Sequence, residues 1–432
     1  MPSLRVGAAL VVLAAAGCRR APATASAHAV GGATSPGAPT PRPTSSIIAP
    51  RTTDPAIALG NLDGEIAAGR QLAGRPSPSA LALVGLSGAL LRHGALVGHL
   101  AEYDEAEALA EQAVKLAPAE PQAWMGRAAV RSRFHRFDDA LADLARAAAL
   151  GETGREIEQR RAAILQAQGR VGEARPTREK WVRALPTFDS LLALATVDVD
   201  EGRFAEAERG FAAAPAQFRD VSPFPLVQLW LQQAALAQEM GRPARARELL
   251  EEAHERMPVD AAVISHLASA CALTGDRSRA IALLGPLVAR SDDPEHAALL
   301  AELLAAEGRD DEARALVTRA AARYTELLAA HPAAFADHAA RFYLGAGKDP
   351  ARAARLAEDN LRLRRTAAAY QLALDALAAA GDAARACAVA DEAERAWPRF
   401  AHLHAQAWAA YQRCGQKQKA EDALRASAAP AP

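Results

Sequence analysis

Apolar side chains recur along most of this chain at intervals of three and four residues. Stretches such as "YDEAEALAEQAVKLAP" (103–118), "FDDALADLARAAALGE" (137–152), "PARARELLEEAHERMP" (243–258) and "AARACAVADEAERAWP" (383–398) each carry one apolar stripe and one charged face. That period belongs to amphipathic helices buried on one side. Glycine or proline closes each segment within about four turns, so the pattern predicts many short helices. Ala, Leu, Glu and Arg dominate and strand-favouring residues are sparse, which predicts helix nearly everywhere after about residue 54. "PAIALGNLDGEIAAGRQLAGRP" (55–76) reads as one capping helix, and "SALALVGLSGALLRHGALVGHL" (79–100) as a long helix that follows it.

The segments repeat one another. Aligned on one alanine they give a ladder at Ala106, Ala140, Ala174, Ala207, Ala246, Ala280, Ala313, Ala353, Ala386 and Ala420. The successive gaps are 34, 34, 33, 39, 34, 33, 40, 33 and 34. Glycine stands five residues before the ladder position at 169, 202, 241, 275, 308, 381 and 415, and proline twelve after it at 118, 186, 258 and 398. This pattern resembles the tetratricopeptide repeat, a helix–turn–helix unit of 34 residues. Glycine ends the first helix in a left-handed cap, the small residues let the paired helices approach closely, and proline stops the second helix. His135 and Lys348 replace the turn glycine in two repeats, and Trp181 and Asn360 replace a later alanine. The resemblance implies an all-α, right-handed α-solenoid of about ten repeats over residues 54–432, with bends near 215–226 and 325–335, where extra residues interrupt the period.

The first residues follow a different pattern. Arg5 precedes the apolar run Val6–Ala16, which is about 16 Å long as a helix and therefore short for a membrane span. This is the layout of an export signal. "AAGC" then resembles the lipobox of bacterial lipoprotein signal peptides, although Leu13 stands further from the cysteine than the usual leucine. The resemblance implies removal of residues 1–17 and acylation of Cys18, the alternative being an ordinary cleaved signal with an incidental cysteine. By the same resemblance, in which an aspartate after the cysteine often retains a lipoprotein in the inner membrane, Arg19 implies the periplasmic face of the outer membrane instead. Residues 18–53 are rich in Ala, Pro, Ser and Thr and lack the apolar side chains that offset ordering entropy, so they read as a disordered tether.

With 50 Lys and Arg against 51 Asp and Glu, the chain has neither the basic stripe of a nucleic-acid protein nor a polybasic membrane surface. No phosphate loop is found. "GAGKDP" (345–350) has Asp349 where Ser or Thr is needed and Phe342 where glycine is needed. His402 and His404 are two apart and fall on different helix faces, and His331, Asp337 and His338 read as solvated surface. Asp138–Asp139 and Asp310–Asp311 open second helices, where acids complement the helix dipole. No catalytic residue, metal or cofactor is expected.

Tetratricopeptide arrays commonly bind peptides along the concave face of their first helices. By that resemblance the face here would present Gln122, Met125, Ser132, Gln159, Gln166, Gln228, Leu231, Gln238, Ser265, Ser269, Glu302, Gln371 and Asp375. The reading is a non-enzymatic, lipid-anchored scaffold binding a protein or peptide. The alternatives are a carrier that uses the groove, or an accessory subunit of an envelope enzyme. Cys387 begins a second helix and Cys414 ends the next first helix, an antiparallel placement that suits a disulfide. Cys271 reads as a free, buried residue.

Overall fold

The computed structural model describes residues 50–428. The signal segment 1–17, Cys18 and the tether up to residue 49 lie outside the described residues. Among those described, the fold is 21 α-helices and one short 3-10 turn, Ala214–Gln217, with no strand. Helix α1 (Pro55–Ala73) caps the chain, and ten antiparallel pairs follow. They are α2 (Ala80–Val97) with α3 (Ala101–Leu116), α4 (Pro121–Arg133) with α5 (Phe137–Ala149), and α6 (Arg155–Ala167) with α7 (Val171–Ala184). Next come α8 (Phe188–Asp200) with α9 (Phe204–Ala213), α10 (Phe224–Glu239) with α11 (Pro243–Arg256), and α12 (Ala261–Leu273) with α13 (Arg277–Arg290). The last are α14 (Pro294–Ala306) with α15 (Asp310–Ala330), α16 (Pro332–Leu344) with α17 (Pro350–Leu363), α18 (Ala367–Ala380) with α19 (Ala383–Ala396), and α20 (Ala401–Arg413) with α21 (Lys417–Ala428). The two interruptions of the period are the irregular segment 214–223 and the 21-residue α15.

The alanine ladder is the spine of the pairs. Ala106, Ala140, Ala174, Ala207, Ala246, Ala280, Ala353 and Ala420 are wholly buried, and Ala313 and Ala386 nearly so. A methyl group is all the space allows there, because the paired helices approach too closely for more. The turn after each first helix needs a left-handed residue. His135 (φ 55°) and Lys348 (φ 50°), two of the places where the sequence departs from glycine, are the non-glycine residues with positive φ among those described. Both pay the strain of placing a Cβ in that region.

The chain then curves back onto itself. Successive first helices touch one another, α2 on α4, α14 on α16 and α18 on α20, which puts them on the inner side of the curve. Slightly under six 34-residue repeats further on, the next turn of the superhelix lies against the first. The Gly98 carbonyl accepts from Ser291 Oγ at 2.6 Å and from the Asp292 amide at 3.2 Å. His135 Nδ1 donates to the Ala333 carbonyl at 3.1 Å, across 198 residues of sequence. The Arg365 amide donates to the Gln168 carbonyl at 3.0 Å, and Phe204 meets Phe400 edge to face at 5.9 Å. Thus the turns inside the first four pairs dock on the loops between later pairs. The N-terminal approach extends this arrangement: the Thr53 amide donates to Val221 O at 2.7 Å, and Arg256 holds Pro50 O and Thr52 Oγ1. The last four residues assigned to the tether, 50–53, are therefore tied to the solenoid. At the other end a disulfide joins Cys387 to Cys414, with Cα atoms 6.7 Å apart. Cys271 is free and buried.

Candidate functional site

The first helices carry the side chains expected to face a groove, and most of these are engaged within the protein. Met125 is 1% exposed and packs against Phe137 and Leu144 of its own pair. Leu231 is buried in the main core, and Gln166 lies buried between α6 and α8. These three do not line an open surface. A period of 3.6 residues leaves one position's uncertainty in phase, which is enough to carry a side chain from the groove into the helix pair. Gln166 Nε2 donates to Asp200 at 2.6 Å, and Gln122 Nε2 to Glu152 at 2.8 Å. Glu302 accepts from the Ala346 amide at 3.1 Å, and Gln406 reaches Asp375 at 2.5 Å and the Gln371 carbonyl at 3.4 Å. Gln159 accepts from the buried Arg178. Gln228 and Gln238 on α10 are half-buried. The row therefore reads first as a series of ties that, apart from Gln159 with Arg178, join neighbouring repeats.

A buried ionic cluster crosses the seam between turns. Asp337 is 1% exposed and takes Arg364 at 3.3 Å and Arg341 at 3.5 Å. Arg364 also donates to the Ala167 carbonyl of the earlier turn. His338 meets Glu295 at 2.8 Å. Burial pushes the Asp337 carboxyl upward, but His338, Arg341 and Arg364 outweigh it and hold the group well below the usual carboxylate range. Burial likewise pushes His338 down, yet Asp337 and Glu295 raise it to about 9. His135, facing the same cluster, falls to about 3 through burial and the charge of Arg364. Nothing in this arrangement holds a nucleophile beside a base. The other histidine pairs diverge, with His404 held by Glu394 and the Pro398 carbonyl, His402 beside Glu239, and His331 bound to Asp104 and stacked on Phe134.

Beside the seam lies a cleft of about 560 Å³, bordered by Gln168, Arg170, Glu201, Arg362, Leu363, Arg365, Tyr370 and Trp397. Its walls come from both turns, with the α6–α7 turn on one side and the α17–α18 loop on the other. The sequence reading missed it. Its parts are about 200 residues apart, and nothing in either stretch marks the other.

Helix pairs of this length, joined through left-handed turns and stacked in series, define an α-solenoid. The sequence model of the tetratricopeptide repeat family matches residues 237–303, from the end of α10 into α14, and the helix pairs on either side have the same form. Among solved structures it is similar to a tetratricopeptide repeat protein from Parabacteroides merdae, at 16% identity and a TM-score of 0.37, over 56% of this chain and 93% of that one. It is also similar to the Cut9–Hcn1 hetero-tetramer of the APC/C, at 11% identity and a TM-score of 0.38, over 86% and 91%. A human IFIT1 dimer with PPP-AAAA aligns at 17% identity and a TM-score of 0.37, over 87% and 79%. At these identities and scores no partner or ligand of those proteins transfers to this chain. None of the curated proteins compared with the chain matches it.

Proposed function

We propose that the protein is a non-enzymatic interaction scaffold of a bacterial cell envelope, held by acyl chains on Cys18, with a partner segment seated in the seam cleft. The cleft carries the reading. It joins Arg365 to Arg170 and Arg362, which are paired with Glu173 and Asp359, and sets the exposed Leu363 beside the buried rings of Tyr370 and Trp397, a mixture suited to a segment with one apolar anchor next to an acidic group. The inner face supports the same choice, because Gln122, Gln166 and Glu302 are engaged in ties between repeats. The lipid anchor rests on the sequence before residue 19 and on the weak hold of a single acyl chain, which a second chain turns into stable attachment. A carrier of small ligands keeps one supporting observation, since the cleft volume falls in the range of about 300–1,000 Å³ usual for such sites.

Two experiments test this function. Cys18→Ser should leave the protein unprocessed or released from membranes; detergent-phase partitioning unchanged from wild type would end the lipoprotein reading. A photo-crosslinking residue at Leu363 should give a discrete protein adduct in intact envelopes, and Arg362→Glu with Arg365→Glu should abolish it. An adduct insensitive to that charge reversal would place the partner elsewhere.

A further inference from the structure

We propose that His93, His99 and Glu102 form a zinc site at the start of the seam. His93 ends α2, His99 lies in the turn, and Glu102 opens α3, so one tight turn gathers all three. Their ligand atoms lie within 4.8 Å of one another. Glu102 is 2.8–2.9 Å from His93 Nδ1 and 3.7 Å from His99 Nδ1. Those distances bracket the roughly 3.3 Å between ligand atoms that a tetrahedral ion with bonds near 2.0–2.1 Å imposes.

The outer partners point the same way. His99 Nε2 lies 2.8 Å from the Arg290 carbonyl, which can only accept, so that nitrogen carries the proton. With the proton placed on Nε2, Nδ1 is the ring atom that faces Glu102 and is the one available to a metal. His93 repeats the pattern, with Nε2 3.3 Å from Asp63 Oδ1 and Nδ1 against Glu102. Two imidazoles, each backed by an acceptor on the far nitrogen and each facing one carboxylate, is the arrangement by which proteins orient metal-binding histidines. Zn²⁺ would take Nδ1 of both rings and one Glu102 oxygen, leaving a fourth position for water. The Arg290 carbonyl belongs to the following turn of the superhelix. Metal binding would therefore fix the His99 ring that reaches across the seam, and hold the two turns together at their first point of contact. The competing arrangement is two protonated imidazoles paired with Glu102 and Asp63, with no ion.

Zn²⁺ titration of the untagged, chelator-treated full-length protein separates the two. The site predicts saturable 1:1 binding and, with Co²⁺, the visible absorption of a four-coordinate ion. His99→Gln keeps a donor for the Arg290 carbonyl while removing the ligand, and Glu102→Gln keeps the shape while removing the charge. Each should weaken Zn²⁺ binding by about 100-fold or more, whereas His338→Gln should leave it unchanged. Failure of the wild-type protein to bind one equivalent overturns the proposal, whatever the variants do. Wild-type affinity in both His99→Gln and Glu102→Gln overturns it equally.

Discussion

Within a helix pair, Ala246 and Ala280 are wholly buried among aliphatic neighbours such as Leu250 and Leu284. Between turns of the superhelix, a few ring contacts such as Phe204 on Phe400 and Phe134 on His331 are joined by many polar ties, among them Arg290 on the Val97 carbonyl and Asp292 on the Leu100 amide at 2.6 Å. The first interface is apolar and gains from every methylene removed from water. The second gains little from each hydrogen bond, because water is exchanged for protein, but it loses heavily when one partner is stranded. A solenoid needs the first to form at all; the second decides whether it stays an open ribbon or closes on itself.

The apolar interface should show the largest effects. Phe211 is wholly buried in the cluster around α8–α10, and Phe211→Ala should lower unfolding stability by about 3–5 kcal/mol, read from a denaturant midpoint. A matched pair of glycines then isolates the seam. Gly169 (φ 84°) and Gly275 (φ 88°) hold the same left-handed conformation, but a Cβ on Gly169 would lie 2.5 Å from the Arg365 carbonyl group, whereas one on Gly275 meets nothing within 4 Å. Gly275→Ala should cost about 1 kcal/mol through backbone strain alone. Gly169→Ala should cost about 1–3 kcal/mol more through overpacking against the next turn. Equal losses in the two variants would mean that the Gly169 turn has no neighbour in solution.

Acidity probes the ionic cluster across the seam. His338 is raised from its ordinary value to about 9, so the stability it contributes is complete below about pH 6.5 and is lost as pH rises toward 9. His135 is depressed to about 3, so its contribution is present above about pH 6.5 and is lost as pH falls toward 3. Urea midpoints measured from pH 5 to 9 should fall on both sides, and His338→Gln should remove the alkaline decline while leaving the acid one. The smallest effect compares the two strained turns. Lys348 is exposed with φ 50°, and Lys348→Gly should stabilise by about 0.5 kcal/mol, strain relief slightly exceeding glycine's entropy. His135→Gly should destabilise instead, because it removes the ring that holds the Ala333 carbonyl.

The repeat was legible because each unit restates the same local solution. A buried alanine every 33 or 34 residues and a left-handed turn five residues earlier follow from packing two helices closely, and both leave their mark on composition. Even the exceptions are consistent, since His135 and Lys348 adopt the backbone that glycine was expected to supply. The seam left no such mark. Ser291, Asp292 and Arg365 look like ordinary loop residues until the superhelix brings Gly98, Leu100 and Gln168 beside them. Pairing across nearly 200 residues depends on the summed curvature of six repeats, which no short window contains. For the same reason Met125 and Leu231, read as groove residues, belong to the core. The sequence period identifies the apolar stripe more securely than the edge between stripe and groove.

The stacked superhelix is tested most directly by amide hydrogen exchange at the loops between later pairs. The Asp292 and Arg365 amides lie outside the helices, and their acceptors are the Gly98 and Gln168 carbonyls of the earlier turn. A closed seam predicts that both exchange slowly, and that Gly169→Ala accelerates Arg365 while leaving Asp292 slow. Exchange of both amides at the rate of an exposed loop in the wild-type protein would show an open solenoid and contradict the account.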